Sequence, residues 1–499
     1  MTAKLYGIMK MSVDKSGATY VPNLKKNIAY NFTYQFMILI LPMITLPYIS
    51  RVLGSENIGI YSFAHTFANY FLLCAVLGIN THGNRSIAAV RDDINELSRT
   101  FLELFIFKAI TTVIMLTIYV IYCVCFVSEN KEIYLIDTFF VLSGLFNINW
   151  FSFGMENFKL TTIRSAIVQI INTVSVFIFV KTSNDLWIYT MILAIGSLIS
   201  TVTVWPYALK TIHKEKVYVS GIIRHIKPAF ILFIPILAMS IYNMMDKLML
   251  GYMSTKQEVG FYECASRVIV VPNVIIDALY NTAMPRMSHL YASKKNGSAM
   301  ELMDEIILFT TICGCAMCFG LGAVGKEFAI LFYGSEFARS GIFIVCLCPV
   351  IIFKCLASAI RMQYIIPTHN DNVYVKSIIF GAVINLLLNS LLIPHLFGMG
   401  AIIGTLAAEF IVMFLHMYLC RDNLNLRKYL TDTLILSAIG AIMLTIVMEL
   451  SNIHVNSVLK LVTQIIIGAI VYLSLAFIFL KKKYSDSLIY KEIAKFLDR

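Results

Sequence analysis

Charge is scarce in this chain. Asp, Glu, Lys and Arg make up 14% of its 499 residues, against roughly 25% in an ordinary soluble domain. So few charges do not cover a water-facing surface of this size. The usual nucleotide machinery is also missing, because there is no Walker sequence and no Gly-rich phosphate loop. No segment between the apolar runs exceeds about 20 residues. An extramembrane catalytic domain is therefore not expected, which argues against an ATP-driven pump and against a transferase with a large outer loop. The opening MTAKLYGIMKMSVDKSGATYVPNLKKN has neither the apolar stretch nor the small-residue cleavage site of a secretory leader, so no removal is expected.

Apolar length is what the chain has instead. Hydrophobic residues reach 59% and the mean hydropathy is +0.77. They fall in runs of about 20, the length a helix needs to cross a hydrocarbon core of roughly 30 Å. Fourteen spans lie near 26–49, 58–80, 100–126, 133–154, 162–180, 186–208, 228–250, 259–283, 302–324, 340–360, 374–393, 400–419, 429–449 and 457–480. A lone apolar segment in lipid must satisfy its backbone internally, so these are helices. A membrane β-barrel would alternate, and these runs do not. The expectation is an all-α integral membrane protein of about 14 transmembrane helices. Its eleven cysteines fit the same reading. Cys313, Cys315 and Cys318 lie in IILFTTICGCAMCFGLGAV, with Cys123, Cys125, Cys346 and Cys348 set similarly. In such surroundings a free Cys behaves as a small hydrophobe, not as a metal or redox group.

The net charge of +11 invites a nucleic-acid reading, but its distribution has a better explanation. With the N-terminus inside, inner segments and the span ends beside them hold 29 of the 40 basic residues, and their outer counterparts hold seven, namely Arg51, Lys131, Lys181, Lys256, Lys326, Arg339 and Lys460. That asymmetry is the positive-inside pattern, and it places both termini in the cytoplasm.

An internal repeat appears at an offset of 201 residues. LGSENIGIY at 53–61 parallels STKQEVGFY at 254–262, and NTHGNR at 80–85 parallels NTAMPR at 281–286. Each Gly-x-Tyr begins an even-numbered span and each Asn-Thr…Arg ends it. Six helices per repeat in the same orientation is the parallel-repeat plan of some transporters. The division expected is an N-lobe of helices 1–6 (1–215), a C-lobe of helices 7–12 (216–424), and helices 13–14 with a cytoplasmic tail (425–499).

Ionisable residues at membrane depth usually face a bundle interior or a watery cavity. Asp246 and Lys247 stand near the outer end of span 7. Glu263 and Arg267, four residues apart, share one face in the outer half of span 8, with Asp277 deeper. His65 reaches similar depth in span 2. Together they suggest a polar, partly cationic cavity between the halves. The alternative is that Glu263 and Arg267 pair with each other, or with Asp246, only to hold helices together. Glu103, Lys108, Lys354 and Glu409 lie within about two turns of a span end and read mostly as snorkelling anchors. Pro42, Pro47, Pro235 and Pro272 are candidate bends for gating. Asp92, Asp93 and Glu96 resemble an acidic metal motif, but a solvated inner loop is the simpler reading.

The motifs NIAYNFTYQF, LPYISRVLGSENIGIYSFAHTFANYF, INWFSFGMENF, LFYGSEF and LIPHLFGMGAIIGTLAAEF occur in this order against the spans. On these the chain resembles the polysaccharide transporter family of the multidrug/oligosaccharidyl-lipid/polysaccharide exporter superfamily, and especially Wzx-type flippases, over about residues 22–420. The resemblance implies a two-lobed, MATE-like protein opening alternately to each side of a bacterial cytoplasmic membrane. Its cargo would be an undecaprenyl-pyrophosphate-linked oligosaccharide for O-antigen, capsule or exopolysaccharide. A polysaccharide polymerase and a chain-length regulator would be its partners. No cofactor is implied beyond proton or sodium coupling. Arg51, Lys247 and Arg267 occupy places comparable to the cationic cavity of related flippases, with Asp246, Glu263 and His65 beside them. A drug or peptidoglycan-precursor exporter remains open, although span 1 lacks the buried carboxylates that cation-coupled drug export favours. So does a membrane-embedded glycan transferase.

The charge asymmetry makes a topological prediction. Tags at Arg499 and between Lys210 and Lys227 report the cytoplasm, while cysteines placed near Ser128 or Ser335 are labelled from outside. Protection of both outer sites would reverse the orientation.

Overall fold

The computed structural model describes residues 24–450, 456–487, 490–491 and 494–495. Both chain termini, and with them the expected cytoplasmic ends, lie outside the described residues. Every regular element described is helical. Twelve helices are long and apolar enough to cross a bilayer, and the pair Ser335–Leu347 and Pro349–Ile365, bent by 42°, makes a thirteenth. The fourteenth is hidden in the first of the twelve, Ile40–Val90. There the helix Leu24–Val76 is interrupted at Gly54, whose φ of 78° and ψ of 173° are not helical. Only glycine adopts that backbone without strain, so Gly54 separates spans 1 and 2 with almost no loop.

The helices run beyond the apolar runs that revealed them. Span 8 is Lys256–Ala292 with 37 residues and span 9 is Asn296–Tyr333 with 38. At 1.5 Å per residue each is about 55 Å long, well over the hydrocarbon thickness. Much of what looked like loop is therefore extramembrane helix. Span 4 is instead three short pieces, Lys131–Ile136, Thr138–Phe146 and Asn149–Gly154. The helices run on through Pro42, Pro47, Pro235 and Pro272, so the breaks fall at Gly54 and beside Pro349 rather than at the expected prolines. Asp93 caps span 3, Ile94–Cys125, by accepting from the backbone N–H of Asn95 and Glu96. The acidic Asp92–Glu96 stretch thus contains a helix start.

The outer surface is apolar, as lipid demands. Ile110, Val113, Ile114 and Ile121 of span 3 and Ile167, Ile170, Ile171 and Ile178 of span 5 are all exposed. Spans 13 and 14, Leu426–Glu449 and Ser457–Lys483, pack against span 9 and each other. Leu308, Cys315, Leu436 and Tyr472 form the buried contact.

The two halves meet chiefly where span 2 crosses span 8. A Cβ placed on Gly59 would lie 1.6 Å from the Lys256 carbonyl oxygen, and one on Gly260 would lie 1.9 Å from that of Ser55. These contacts are reciprocal under the 201-residue offset, since 55 corresponds to 256 and 59 to 260. One turn on, Ser62 Oγ donates to Glu263 Oε2 at 3.1 Å, again a residue and its repeat counterpart. Parallel helices whose equivalent residues touch at one level are related by an axis along their own direction. With no hydrophobic drive between helices in lipid, small residues that let backbones approach are what holds such a crossing together. Gly59→Ala and Gly260→Ala should each cost about 1–3 kcal/mol by overpacking, read as a lower Tm in detergent. The double variant should cost less than the sum, because one separation of the helices relieves both clashes.

Candidate functional site

The crossing fixes what surrounds the most buried charge at the seam. Thr255 caps span 8 by accepting from the N–H of Glu258, and two turns later Glu263 points into the interface, 4% exposed. Arg267 Nε donates to Glu263 Oε1 at 2.6 Å. Lys247 Nζ of span 7, Val219–Met253, reaches Oε2 at 2.5 Å. Ser62 of the other half shares that oxygen. The trio carries two positive charges against one negative. Its carboxylate is sealed, whereas the Arg267 and Lys247 side chains stay 35% and 20% exposed. The arrangement is an electropositive face on a buried negative pivot, suited to hold an anion through guanidinium and ammonium donors.

Asp246 is adjacent in sequence to Lys247 but turns the other way, into the C-lobe. It accepts from Tyr262 Oη at 2.7 Å, Thr405 Oγ1 at 2.8 Å and Asn389 Nδ2 at 2.6 Å. All three donors are neutral, and no ion pair joins Asp246 to another described residue. Asn389 Oδ1 beside it is buried without a hydrogen-bond partner. Asp246 is thus a buried carboxylate held by dipoles alone, distinct from the trio.

A model of the polysaccharide biosynthesis protein family matches residues 24–291, more than half of the chain. The chain belongs to that family. A protein of Escherichia coli (strain K12) designated an O-antigen transporter is 24% identical over 417 residues, which are 80% of this chain and 97% of the relative. A similarly designated protein of Shigella dysenteriae is 23% identical over 78% of this chain and 98% of its own. Among solved structures, the lipid II flippase MurJ in an inward closed conformation superposes with a TM-score of 0.72 at 18% identity, covering 91% of this chain and 99% of MurJ. An inward-facing MATE-family multidrug resistance transporter gives 0.61 at 14% identity, over 79% and 97%. The fold is that of the MATE-like exporters. With transporters as sequence relatives, this polysaccharide biosynthesis protein is a transporter and not a glycan transferase.

Like Asp246, the other two expected site residues of this family member lie apart from the trio. Arg51 is exposed beside the Gly54 break, where its Nη2 donates to the Leu331 carbonyl at 2.5 Å. His65 faces the N-lobe interior, with Nδ1 3.4 Å from Asp137 Oδ1 and its ring against Tyr61 and Phe140. It lines a cavity of about 310 Å3 with Gln169 and Asn172. The four expected anchors do not snorkel. Lys108 is fully buried and donates to the Asn147 carbonyl. Glu103, 2% exposed, pairs with Arg224 at 2.7 Å and lies 3.3 Å from His225 Nε2. Lys354 pairs with Glu409 at 3.0 Å inside the C-lobe. Each has a partner on another span, which makes an inward position cheaper than the stretch to water. Asn389, Thr405, Tyr262 and Asp137 escaped the sequence reading because uncharged polar residues, and one acid near a span end, carry no signal without their neighbours.

Proposed function

We propose that the protein is a flippase that turns undecaprenyl-pyrophosphate-linked oligosaccharide from the cytoplasmic to the outer leaflet of a bacterial cytoplasmic membrane, supplying O-antigen, capsule or exopolysaccharide assembly. The observation that carries this reading is the trio at the seam, two cations on one buried carboxylate. A pyrophosphate brings about two negative charges, and a charge contact at 4 Å is worth about 4 kcal/mol at an effective dielectric constant of 20. Lys247 and Arg267 can receive it while Glu263 keeps them positioned. A cationic drug gains nothing from such a face. The O-antigen transporter relatives, the MurJ likeness and the Haloferax volcanii relative designated a low-salt glycan biosynthesis flippase, 20% identical over 48% of this chain, support the cargo class. Polysaccharide polymerase and chain-length regulator would then receive the product.

The seam suits alternating access because each end is bridged by few bonds. Towards the outside by the charge rule, Ser50 donates to the Tyr333 carbonyl at 2.9 Å and Ser55 to Glu336. Towards the inside, Tyr70 donates to the Ser240 carbonyl at 3.0 Å, His82 lies 2.9 Å from His225, and Glu103 pairs with Arg224 at 2.7 Å. Loosening one set while keeping the other opens one side at a time. Asp246, buried among neutral donors and without an ion pair to another described residue, is a carboxylate suited to take up a coupling proton or sodium ion.

Two experiments test this. Arg267→Ala should abolish surface polysaccharide at near-normal membrane abundance, and Arg267→Lys should keep part of the activity, since the point charge remains though the planar fork is lost. If Arg267 and Lys247 only neutralise Glu263, Glu263→Gln loses abundance, because two stranded cations cost about 3–5 kcal/mol. The triple change of Glu263, Arg267 and Lys247 to Gln would then restore both abundance and transport, and that rescue would sink the binding role. In proteoliposomes, Asp246→Asn should flip lipid-linked glycan at a rate indifferent to an imposed proton or sodium gradient. A variant that still responds as wild type removes Asp246 from coupling.

A further inference from the structure

The C-lobe holds a second cavity, about 240 Å3, between spans 7, 8, 10, 11 and 12. It is smaller than the roughly 300–1,000 Å3 of sites for drug-sized ligands, so it takes one ring and not an oligosaccharide. Two cations, Lys354 and Arg361, and two carboxylates, Asp277 and Glu409, line it. Lys354 and Glu409 form a pair, whereas no ion pair joins Arg361 or Asp277 to another described side chain. The formal charges cancel. Unlike the trio, this cavity offers an anion no net attraction.

Its unmet polar atoms say what it can take. His416 is 1% exposed, and its Nδ1 lies 3.1 Å from the Ala357 carbonyl oxygen. A carbonyl only accepts, so the neutral ring carries its proton on Nδ1 and presents a lone pair at Nε2. Nε2 is buried with no partner, as is Nε of Arg361. One is an acceptor and the other a donor. A phosphate oxygen cannot donate to the first. A hydroxyl-bearing ligand satisfies both, because each hydroxyl donates and accepts. Arg361 opens a π-helical turn, Arg361–Ile365, a backbone irregularity frequent at functional sites. Its guanidinium is stacked 5.5 Å from the Tyr374 ring centre, so a flat aromatic face also borders the space.

We propose that this cavity is a sugar subsite, which receives one ring of the glycan while the pyrophosphate rests on Lys247 and Arg267. The proposal rests on the flippase reading above. The helices set the spacing. Exposed Asn243 stands at the rim four residues from Lys247 on span 7, and Asp277 ten residues from Arg267 on span 8. At 1.5 Å per residue these offsets are about 6 and 15 Å along the axes. That is the reach of the first sugars beyond a pyrophosphate.

The test measures binding of two lipids to the full chain in nanodiscs. One is undecaprenyl pyrophosphate, and the other is the same lipid carrying the repeat-unit glycan, extracted from the producing cells. Wild type should bind the glycan-bearing lipid at least about ten-fold tighter, the scale of one buried hydrogen bond. His416→Phe and Arg361→Gln should each erase that preference while leaving affinity for the sugar-free lipid unchanged. Arg361 is only half-buried, so its variant keeps the test valid if His416→Phe fails to fold. Variants that weaken both lipids equally, or neither, overturn the sugar subsite and leave the flippase reading intact. Wild type that binds neither lipid overturns both.

Discussion

Two helices approach until their backbones touch only where neither presents a side chain to the other. Gly59 and Gly260 make that contact, each against the carbonyl that precedes its counterpart by one turn. The rest of the lobe–lobe interface inherits its register from this crossing. One turn further along, it sets Ser62 against Glu263, and that in turn fixes where Arg267 and Lys247 converge. At the flank, Lys256, the counterpart of small Ser55, folds its side chain away over the Phe63 ring, 3.4 Å from the centroid, and donates to the Gly251 carbonyl. The closest approach in the fold thus tolerates a long basic side chain only because that side chain leaves the crossing.

Around this point the polar interior is divided by charge. At the seam one carboxylate serves two cations. Behind it Asp246 is held by neutral donors, and deeper in the C-lobe charges of both signs balance. The N-lobe contributes a separate cavity lined by His65, whose Nδ1 lies 3.4 Å from Asp137 behind it. Separation of this kind lets different parts of one amphipathic cargo be held by different chemistry.

Fourteen apolar runs were legible because lipid leaves a helix no alternative, and their number survives in the structure. Their lengths did not, because polar residues just outside the bilayer continue the helices of spans 8 and 9 without any apolar signal. The four-residue spacing of Glu263 and Arg267 announced their pairing. Lys247 as the second cation depends on the angle at which spans 7 and 8 meet, and the bond of Arg51 to Leu331 on how span 9 approaches, neither of which a local pattern encodes. Lys354 and Glu409 show the same limit. Each looked like a charge near a membrane face, and only the fold reveals that they face each other. Gly54 and Gly59 were readable as glycines but not as a break and a crossing.

The meeting of Ser62 with Glu263 bears on how such a chain can arise from two copies of one half. A residue next to a two-fold axis confronts its own counterpart. Two identical halves would set glutamate against glutamate, with like charges forced together in a sealed interface, or serine against serine, with no anchor for the cations. The position nearest the axis is therefore where duplicated halves must first become different. Leu46 and Thr66 stand at the positions that correspond to Lys247 and Arg267, so the acid and both of its cations belong to one half.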